Sequence, residues 1–328
     1  MTIASPPPLI GESPAFQAAL AHVSRVAPLE RPVLVIGERG TGKELIAARL
    51  HYLSRRWDRP FVKVNCAALP ETLLDSELFG HEAGAFTGAT RRHTGRVEQA
   101  DGGTLFLDEL ATSSAAVQEK LLRAVEYGEI ERVGGRTQTV DVRVVGATNA
   151  DLPALAEAGR FRADLLDRLA FDVVALPPLR ARPEDIPVLA EHFALGMVRE
   201  LERPLFPGFT PRALDDLRGH AWPGNVRELR NAVERSVAAA DPDAPVDTVI
   251  LDPFRPSWRP PVPAPAEATP DVPDSGDGFL DRVRAFESGL LSAALERNRF
   301  NQRRTAEDLG LTYHQLRGYL RKHGLIGG

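Results

Sequence analysis

The chain has very little cysteine and no long apolar stretch. Its 328 residues include one cysteine, Cys66, which excludes an internal disulfide and a cysteine metal site and fits a small core residue beside a strand. Apolar runs such as Val33–Ile36 are far shorter than the roughly 20 residues that span a bilayer. The amino terminus also lacks the basic, apolar and small-residue pattern of a secretion signal. We therefore expect a cytoplasmic protein with no direct membrane insertion.

Acidic and basic residues are unevenly distributed. The net charge of −5 taken alone argues weakly against nucleic acid as a partner. Residues 279–328, however, contain nine Arg and Lys against five Asp and Glu, whereas residues 253–278 contain two against four. Residues 1–252 therefore carry the acidic excess, and the basic tail is the candidate for DNA binding.

Short apolar runs rich in branched residues alternate with helical patterns in the first half of the chain. They predict five strands, at Val33–Ile36, Phe61–Asn65, Thr104–Leu107, Val142–Ala147 and Phe171–Ala175. Strands that alternate with helices form a parallel sheet covered on both faces, so we predict an α/β subdomain over residues 1–176. Its first helix is expected to begin after Ser13 as the cap, which leaves no room after Met1 for a sensory domain.

The pattern changes after Pro177-Pro178. Apolar residues then recur only at helical spacing, at Ile186, Leu189, Ala190, Phe193, Leu214, Leu217, Val226, Leu229 and Val233. This predicts a small helical lid over residues 177–252. Residues 253–278 contain eight prolines and little to bury, which is the composition of an extended linker.

The tail, residues 279–328, has the pattern of a helix-turn-helix. Residues 302–309 and 313–322 have helical lengths and flank a tight turn, with core positions at Ala306, Leu309, Leu311, Leu316 and Leu320. Thr312 would cap the second helix. The side chains expected in a major groove are Tyr313, His314, Gln315, Arg317 and Arg321, with Arg303, Arg304 and Lys322 at phosphates. A small helical bundle with solvated charges is the alternative. If the tail binds DNA, two tails are expected to read an approximately palindromic site.

A glycine-rich segment, Gly37-Glu38-Arg39-Gly40-Thr41-Gly42-Lys43, lies between a predicted strand and a predicted helix. In that context its backbone amides and the helix amino terminus can form a phosphate-binding loop, with Lys43 reaching the β and γ phosphates of ATP. A glycine-rich turn is the alternative. Glu44 follows where many such loops carry a hydroxyl for Mg²⁺, so metal contact is expected to rest on water and on Asp108.

Two adjacent carboxylates, Asp108 and Glu109, end the third predicted strand. Asp108 is expected to hold Mg²⁺ through its water shell, and Glu109 to orient the water that attacks the γ phosphate. Asn149 ends the fourth strand and either senses the γ phosphate or caps the next helix. A solvated acidic pair is the alternative for the carboxylates.

Motifs along the body resemble those of the sigma-54-dependent bacterial transcription activators of the AAA+ P-loop ATPase superfamily. They are 37–44, Asn65-Cys66-Ala67-Ala68, Glu77-Leu78-Phe79-Gly80-His81-Glu82, Gly84-Ala85-Phe86-Thr87-Gly88-Ala89, 161–169, and Trp222-Pro223-Gly224-Asn225-Val226-Arg227-Glu228-Leu229. The family usually has Glu at position 44. The resemblance implies a ring ATPase, expected to be a hexamer, with a five-stranded sheet, a lid and a Fis-like helix-turn-helix domain.

The resemblance also assigns roles to individual residues. The loop Gly84 to Ala89 would touch sigma-54 in the RNA polymerase holoenzyme, chiefly through Phe86 and Thr87; without the family it would be a flexible surface turn. Arg162 and Arg168 match arginine fingers that reach a neighbouring subunit, although ordinary surface ion pairs are the alternative. Arg227 matches a lid arginine that senses nucleotide, and Asn65 a residue that hydrogen-bonds the catalytic glutamate, here Glu109.

Two segments, 51–57 and 310–315, look like those of the family members that control the phage shock response. This implies inhibition in trans by phage shock protein A. Tyr52, Leu53 and Trp57 are the candidate docking patch, although Tyr52 and Leu53 also fit the core of the preceding helix.

Three functions follow from the sequence. The first is an ATPase that binds enhancer DNA and remodels the closed sigma-54 polymerase complex so that the promoter melts. The second is a DNA-bound repressor or scaffold that lost the motor, against which Lys43, Glu109, Phe86 and Thr87 argue. The third is a replication-type AAA+ initiator or loader, which would lack the loop at Gly84 to Ala89.

Overall fold

A computed structural model describes residues 8–86, 89–254 and 279–325 of the chain. The chain divides into two compact units, Met1–Phe254 and Arg255–Gly328, which are described separately below. Thr87, Gly88 and linker residues 255–278 lie outside the described residues.

The first unit is built on a parallel sheet. The strands described in the chain are β1 (Val33–Ile36), β2 (Phe61–Asn65), β3 (Gly80–His81), β4 (His93–Thr94), β5 (Thr104–Asp108), β6 (Glu129–Glu131), β7 (Thr137–Thr139), β8 (Arg143–Thr148) and β9 (Val173–Ala175). Five of them form the main sheet in the order β2-β5-β8-β1-β9, with every pairing parallel. The predicted five-stranded parallel sheet is confirmed.

The strand bounds differ slightly from the predicted ones. β5 continues to Asp108, whose backbone pairs in register with Asn65 of β2. β9 begins at Val173 rather than Phe171. Phe171 is exposed, and the guanidinium of Arg31 lies 5.8 Å from its ring centre; the residue therefore belongs to the surface despite its apolar character.

Helices cover both faces of this sheet and form the lid and the tail. Those described are α1 (Pro14–Val26), α2 (Lys43–Tyr52), α3 (Glu71–Phe79), α4 (Arg96–Gln99), α5 (Ala115–Tyr127), α6 (Leu152–Glu157), α7 (Ala163–Leu169), α8 (Asp185–Glu200), α9 (Pro211–Gly219), α10 (Asn225–Ala239), α11 (Phe279–Arg297), α12 (Gln302–Asp308) and α13 (Tyr313–Lys322). The predicted start of α1 is confirmed, because the Ser13 side chain accepts a hydrogen bond from the amide of Phe16.

Separate apolar clusters fill the two sides of the sheet and the lid. Leu105 and Leu107 face one side, whereas Phe106 and Val145 face the other, as the alternation of side chains along a strand requires. The lid has its own apolar cluster around Trp222. This cluster includes most of the apolar residues predicted to form the lid. Cys66 is buried, and burial raises the pKa of its thiol to about 12, in agreement with a core role.

Two short antiparallel ribbons, β3–β4 and β6–β7, were not predicted from the sequence. Their strands have two or three residues each, which is too short for an alternating pattern to stand out. A backbone bridge between His81 and Val133 joins the two ribbons.

The second unit contains a helix-turn-helix. α12 and α13 are joined by a turn at Gly310, whose φ is +66°, and Leu316 and Leu320 pack with Leu291 and Leu295 of α11. Thr312 caps α13, as predicted. Across the described part of the chain, the helices are too short or too polar to cross a membrane.

Candidate functional site

The glycine-rich loop has the geometry of a phosphate-binding loop. Gly40 and Gly42 have left-handed φ angles of +77° and +98°, a region that glycine enters without a steric penalty. Gly42 precedes α2, so the helix begins at Lys43. Loop amides and the positive end of a helix dipole therefore meet in one place, which suits an anion.

Lys43 is buried and its ammonium is held by the loop itself. Nζ donates to the carbonyl oxygens of Gly37 and Glu38 at 2.9 and 3.2 Å. Burial lowers the pKa of Lys43, and the charges of Asp108 and Glu109 act in the opposite direction. A buried ammonium on main-chain carbonyls can exchange those neutral acceptors for phosphate oxygens, which bind it more strongly.

A cavity of about 300 Å³ opens in front of this lysine. The structure brings eight of the predicted site residues to its wall: Arg39, Gly40, Gly42, Lys43, Glu44, Asp108, Glu109 and Arg227. The first seven come from the α/β part and the last from the lid. The cavity therefore has cations, amides and carboxylates on facing walls, as an enclosed triphosphate and its metal require.

The acidic pair lies at the carboxyl end of β5. Glu109 has a left-handed φ of +52°, a conformation that costs a non-glycine residue about 1–3 kcal/mol and persists where surrounding structure imposes it. Its Oε1 lies 3.6 Å from Nε of Arg39, and its amide donates to Oδ1 of Asp108 at 3.0 Å. Strain and partial burial favour a functional pair over a solvated one.

Two asparagines were predicted beside this pair. Asn65 lies next to Asp108 in the sheet, and its Oδ1 accepts from the amide of Ala67 at 2.9 Å; its predicted hydrogen bond to Glu109 stays a prediction. Asn149 follows β8 and is exposed. The alternative role of Asn149 as a helix cap is wrong, because Asp151 caps α6.

The lid is seated directly on the phosphate-binding loop. The amide of Val226 donates to the carbonyl of Gly40 at 3.0 Å. A Cβ placed on Gly40 would lie 2.2 Å from the carbonyl oxygen of Gly224, closer than any side chain allows. This contact places Arg227, two residues after the start of α10, at the cavity.

A second cavity of about 220 Å³ adjoins the first and shares Gly42, Leu45, Phe193 and Val226 with it. Its remaining wall is mostly apolar and includes Leu9, Ile10 and Phe16 from the start of the chain and Leu189 from the lid. This cavity was not predicted from the sequence, because its residues come from four separate stretches of the chain and most of them lie outside the motifs.

Arg162 and Arg168 lie at the beginning and end of α7. Arg162 donates from Nε and Nη2 to the carboxylate of Asp164, and Arg168 donates from Nη2 to Glu126 at 2.6 Å. Both side chains are more than a third exposed. They are surface ion pairs within this chain, the alternative named above, and their role toward a neighbouring subunit stays a prediction.

The loop Gly84 to Ala89 extends from the β3–β4 ribbon. The amide of Gly84 donates to the carbonyl of Ala89 at 2.7 Å, which closes the loop at its base. Phe86 is 44% exposed, and its ring edge packs on His81 with centres 4.9 Å apart. Phe86 is therefore available to a partner, while the predicted contact residues Thr87 and Gly88 lie outside the described residues.

A buried arginine ties this ribbon to the β6–β7 hairpin. Arg132 donates to Glu82 at 2.7 Å and to Glu98 at 2.7 Å, and its side chain is 5% exposed. Glu82 lies two residues before the loop Gly84 to Ala89. This network was not predicted from the sequence, because single charged residues far apart along the chain give no periodic signal.

The docking patch is partly exposed. Leu53 and Trp57 are 44% and 51% exposed, so the alternative of a core role is wrong for Leu53. Tyr52 is half-buried, with its ring against His51.

The predicted DNA-binding side chains lie on the surface of the second unit. Those exposed are Arg303, Arg304, Thr312, Tyr313, His314, Gln315, Arg317, Arg321 and Lys322. Two of them are already engaged: Gln315 Oε1 accepts from the amide of Thr312 in a capping box, and Lys322 pairs with Glu287 at 2.9 Å. Gln315 is therefore engaged in the helix cap through Oε1, and its contact with DNA stays a prediction.

Comparison with known proteins identifies the family. Residues 9–175 match the sigma-54 interaction domain, residues 180–253 the AAA+ ATPase lid domain, and residues 282–323 the Fis family of bacterial regulatory proteins. The chain belongs to the sigma-54-dependent transcription activators, in which an AAA+ ATPase domain is combined with a helix-turn-helix domain. The predicted fold class is thereby confirmed.

Individual relatives are similar over most of the chain. It is 60% identical to the Psp operon transcriptional activator of Escherichia coli (strain K12), over 96% of this chain and 97% of that protein. It is 48% identical to the Nif-specific regulatory protein of Azotobacter vinelandii, over 94% of this chain and 57% of that protein. The crystal structure of NtrX from Brucella abortus in complex with ATP has a TM-score of 0.70 and 34% identity, over 97% of this chain and 70% of NtrX.

The seat of the lid on the loop generates a prediction for Gly40→Ala. The added Cβ would meet the carbonyl of Gly224, so the variant should bind ATP at least tenfold more weakly than wild type, as measured by calorimetry. Gly102→Ala is the matched control, because Gly102 has a similar φ of +72° and no atom within 4 Å of its Cβ position. Equal ATP affinity in the two variants would contradict the importance of this contact.

Proposed function

We propose that this protein is an ATP-driven activator that remodels the closed complex of sigma-54 RNA polymerase holoenzyme into the open complex. The observation that carries the proposal is the meeting of Lys43, the pair Asp108 and Glu109, and Arg227 around one cavity. The membership of the family and the ATP complex of NtrX support it.

The cavity residues divide the chemistry of ATP hydrolysis among them. Lys43 would release its loop carbonyls and bind the β and γ phosphate oxygens, and the amides of 40–44 would hold the phosphate chain. Glu109 would orient a water for in-line attack on the γ phosphorus, while the bond to the β–γ bridging oxygen breaks and ADP leaves. The apolar second cavity, beside Leu9 and Phe16, would take adenine.

A divalent cation fits the same site. Asp108 lies at the end of β5 with its Oδ1 engaged by an amide, and its second oxygen can hold a water of hydrated Mg²⁺. When bound, Mg²⁺ supplies positive charge to the phosphate oxygens in the transition state. Asn149, at the end of the adjacent β8, would contact the γ phosphate or the water.

Assembly would complete the site. We propose a hexameric ring in which Arg162 and Arg168 leave Asp164 and Glu126 and reach the γ phosphate of the neighbouring subunit. Asn65 lies beside Asp108 in the sheet. It would hydrogen-bond Glu109 and so couple ATP hydrolysis to movement of the loop Gly84 to Ala89. Through Phe86 and Thr87, that loop would contact sigma-54.

The tail would bring the ATPase to enhancer DNA. We propose the subdomain division 1–176, 177–252, 253–278 and 279–328, with α13 in the major groove. Tyr313, Arg317 and Arg321 recur every four residues along α13 and form an exposed stripe beside the buried Leu316 and Leu320. This stripe would meet bases while Arg303 and Arg304 meet phosphates. A transcription activator of this kind would work in the cytoplasm, at the nucleoid.

The 60% identity to the Psp operon activator supports a role in the phage shock response, with phage shock protein A as the inhibitor. The exposed Leu53 and Trp57, with Tyr52 beside them, would dock it. Trp57→Ala should then relieve inhibition of ATP hydrolysis by added phage shock protein A and leave the uninhibited rate unchanged; full inhibition of the variant would exclude this patch.

The proposal is tested by separating hydrolysis from output. Thr87→Ala should hydrolyse ATP at close to the wild-type rate and form no open complex at a sigma-54 promoter, because the change removes a contact with sigma-54 and leaves the cavity intact. Thr90→Ala is the matched control, because Thr90 is exposed and lies three residues further along the chain. This variant should hydrolyse ATP and form open complexes like wild type.

Glu109→Gln completes this experiment. It should bind ATP with similar affinity and lower the hydrolysis rate at least 100-fold, because a neutral amide no longer polarises the water. Open complexes formed equally well by Thr87→Ala and wild type would contradict the proposed output loop.

A further inference from the structure

Glu38, the second residue of the phosphate-binding loop, is turned toward the lid rather than into the cavity. Both of its carboxylate oxygens accept hydrogen bonds from Arg180, which lies in the short turn at Leu179–Ala181 before the lid. Oε2 also accepts from Nδ2 of Asn225 at 3.0 Å. These three side chains are named the loop–lid latch.

Asn225 is the buried junction of the latch. It is fully buried with a left-handed φ of +52°, which asparagine tolerates better than most residues. Its Oδ1 accepts from the amide of Leu179 at 2.7 Å, and its Nδ2 donates to the carbonyl of Arg39 at 3.0 Å as well as to Glu38. One side-chain amide therefore joins the loop, the turn before the lid and the start of α10.

The latch fixes the orientation of the loop backbone. The carbonyl of Arg39 is held by Asn225 and the next carbonyl, of Gly40, by the amide of Val226. In a trans peptide the carbonyl and the following N–H point in opposite directions, so the amides of Gly40 and Thr41 are directed away from these lid donors. The amide of Thr41 makes a long hydrogen bond of 3.4 Å to the carbonyl of Glu38, which a phosphate oxygen would replace. Amides of this loop are the groups that form its anion-binding concavity.

The ion pair of the latch contributes more to the orientation of the loop than to the folding stability of the protein. The side chains of Glu38 and Arg180 are 41% and 52% exposed, and such exposed ion pairs add little to folding stability. The hydrogen bonds from Arg180, and then those from Asn225, lower the pKa of Glu38 to about 2. The carboxylate is therefore ionised above that pH and holds its donors throughout the neutral range.

We propose that Asn225 and Arg180 are positioning residues for ATP, which hold the loop amides in their phosphate-binding orientation. Asn225 acts directly on the carbonyl of Arg39 and on Glu38, and Arg180 acts through Glu38. The inference rests on the proposed ATPase function. Because coupling between two equilibria is reciprocal, ATP should in turn hold the lid against the loop. The latch thus makes lid docking and phosphate binding parts of one equilibrium.

The test is a double-mutant cycle read as KM and kcat for ATP hydrolysis, with ATP affinity measured by calorimetry. Asn225→Asp keeps the shape and the acceptor for Leu179 but loses the donor and places a second carboxylate beside Glu38. It should raise KM about tenfold or more and leave kcat within about twofold, because phosphate binding in the ground and transition states is weakened alike.

Arg180→Gln should raise KM by a smaller factor and should have no further effect in a Glu38→Gln background, since its partner has been removed. Arg212→Gln, which loses an exposed lid ion pair with Asp247 at 3.6 Å, is the control and should leave KM unchanged. A purely structural role would instead lower the melting temperature or kcat with KM unchanged.

The outcomes separate the inference from the function on which it rests. Unchanged KM and ATP affinity in Asn225→Asp and Arg180→Gln, with an active wild type, would overturn the latch alone. Equal effects of Arg180→Gln with and without Glu38→Gln would also overturn it. A wild type that binds ATP but fails to hydrolyse it would contradict the ATPase proposal, and the latch would still be judged by the calorimetric affinities.

Discussion

The contact between the lid and the phosphate-binding loop is the constraint on which the site depends. Gly40 lies so close to the carbonyl of Gly224 that no side chain fits between them, and the start of α10 is thereby fixed beside the loop. Together with the hydrogen bonds from Val226 and Asn225 to the loop, this contact brings Arg227 to the cavity. The cavity forms only where the α/β subdomain and the lid are in contact, because both line its wall.

A second constraint is the parallel sheet, which gathers separate sequence motifs at one edge. Strands β1, β2, β5 and β8 all run in the same direction, so Gly37, Asn65, Asp108 and Asn149 follow at neighbouring carboxyl ends. The β3–β4 ribbon carries the loop Gly84 to Ala89, and Arg132 of the β6–β7 hairpin is joined to it through Glu82 and to α4 through Glu98.

The sequence predicted the sheet, the cap at Ser13 and the cavity wall, because each has a local signal. Buried strands read as branched apolar runs, and Lys43 or Asp108 lies at a fixed distance from a strand end. The latch, the Arg132 network and the second cavity could not be predicted, because they join residues more than thirty positions apart that carry no common period. Gln315 was assigned to DNA by its place on α13, yet its side chain serves the cap of that helix. A helical pattern of apolar residues does not reveal whether a polar side chain hydrogen-bonds to the backbone of its own helix instead of to a partner.

The central claim is that ATP hydrolysis at this cavity drives promoter opening. The most direct measurement is the permanganate reactivity of promoter thymines in a purified system of wild-type chain, sigma-54 holoenzyme and enhancer-bearing promoter DNA. We expect thymine reactivity at the start site with ATP and none with ADP or a non-hydrolysable analogue. ATP hydrolysis without thymine reactivity, or reactivity with the non-hydrolysable analogue, would contradict it.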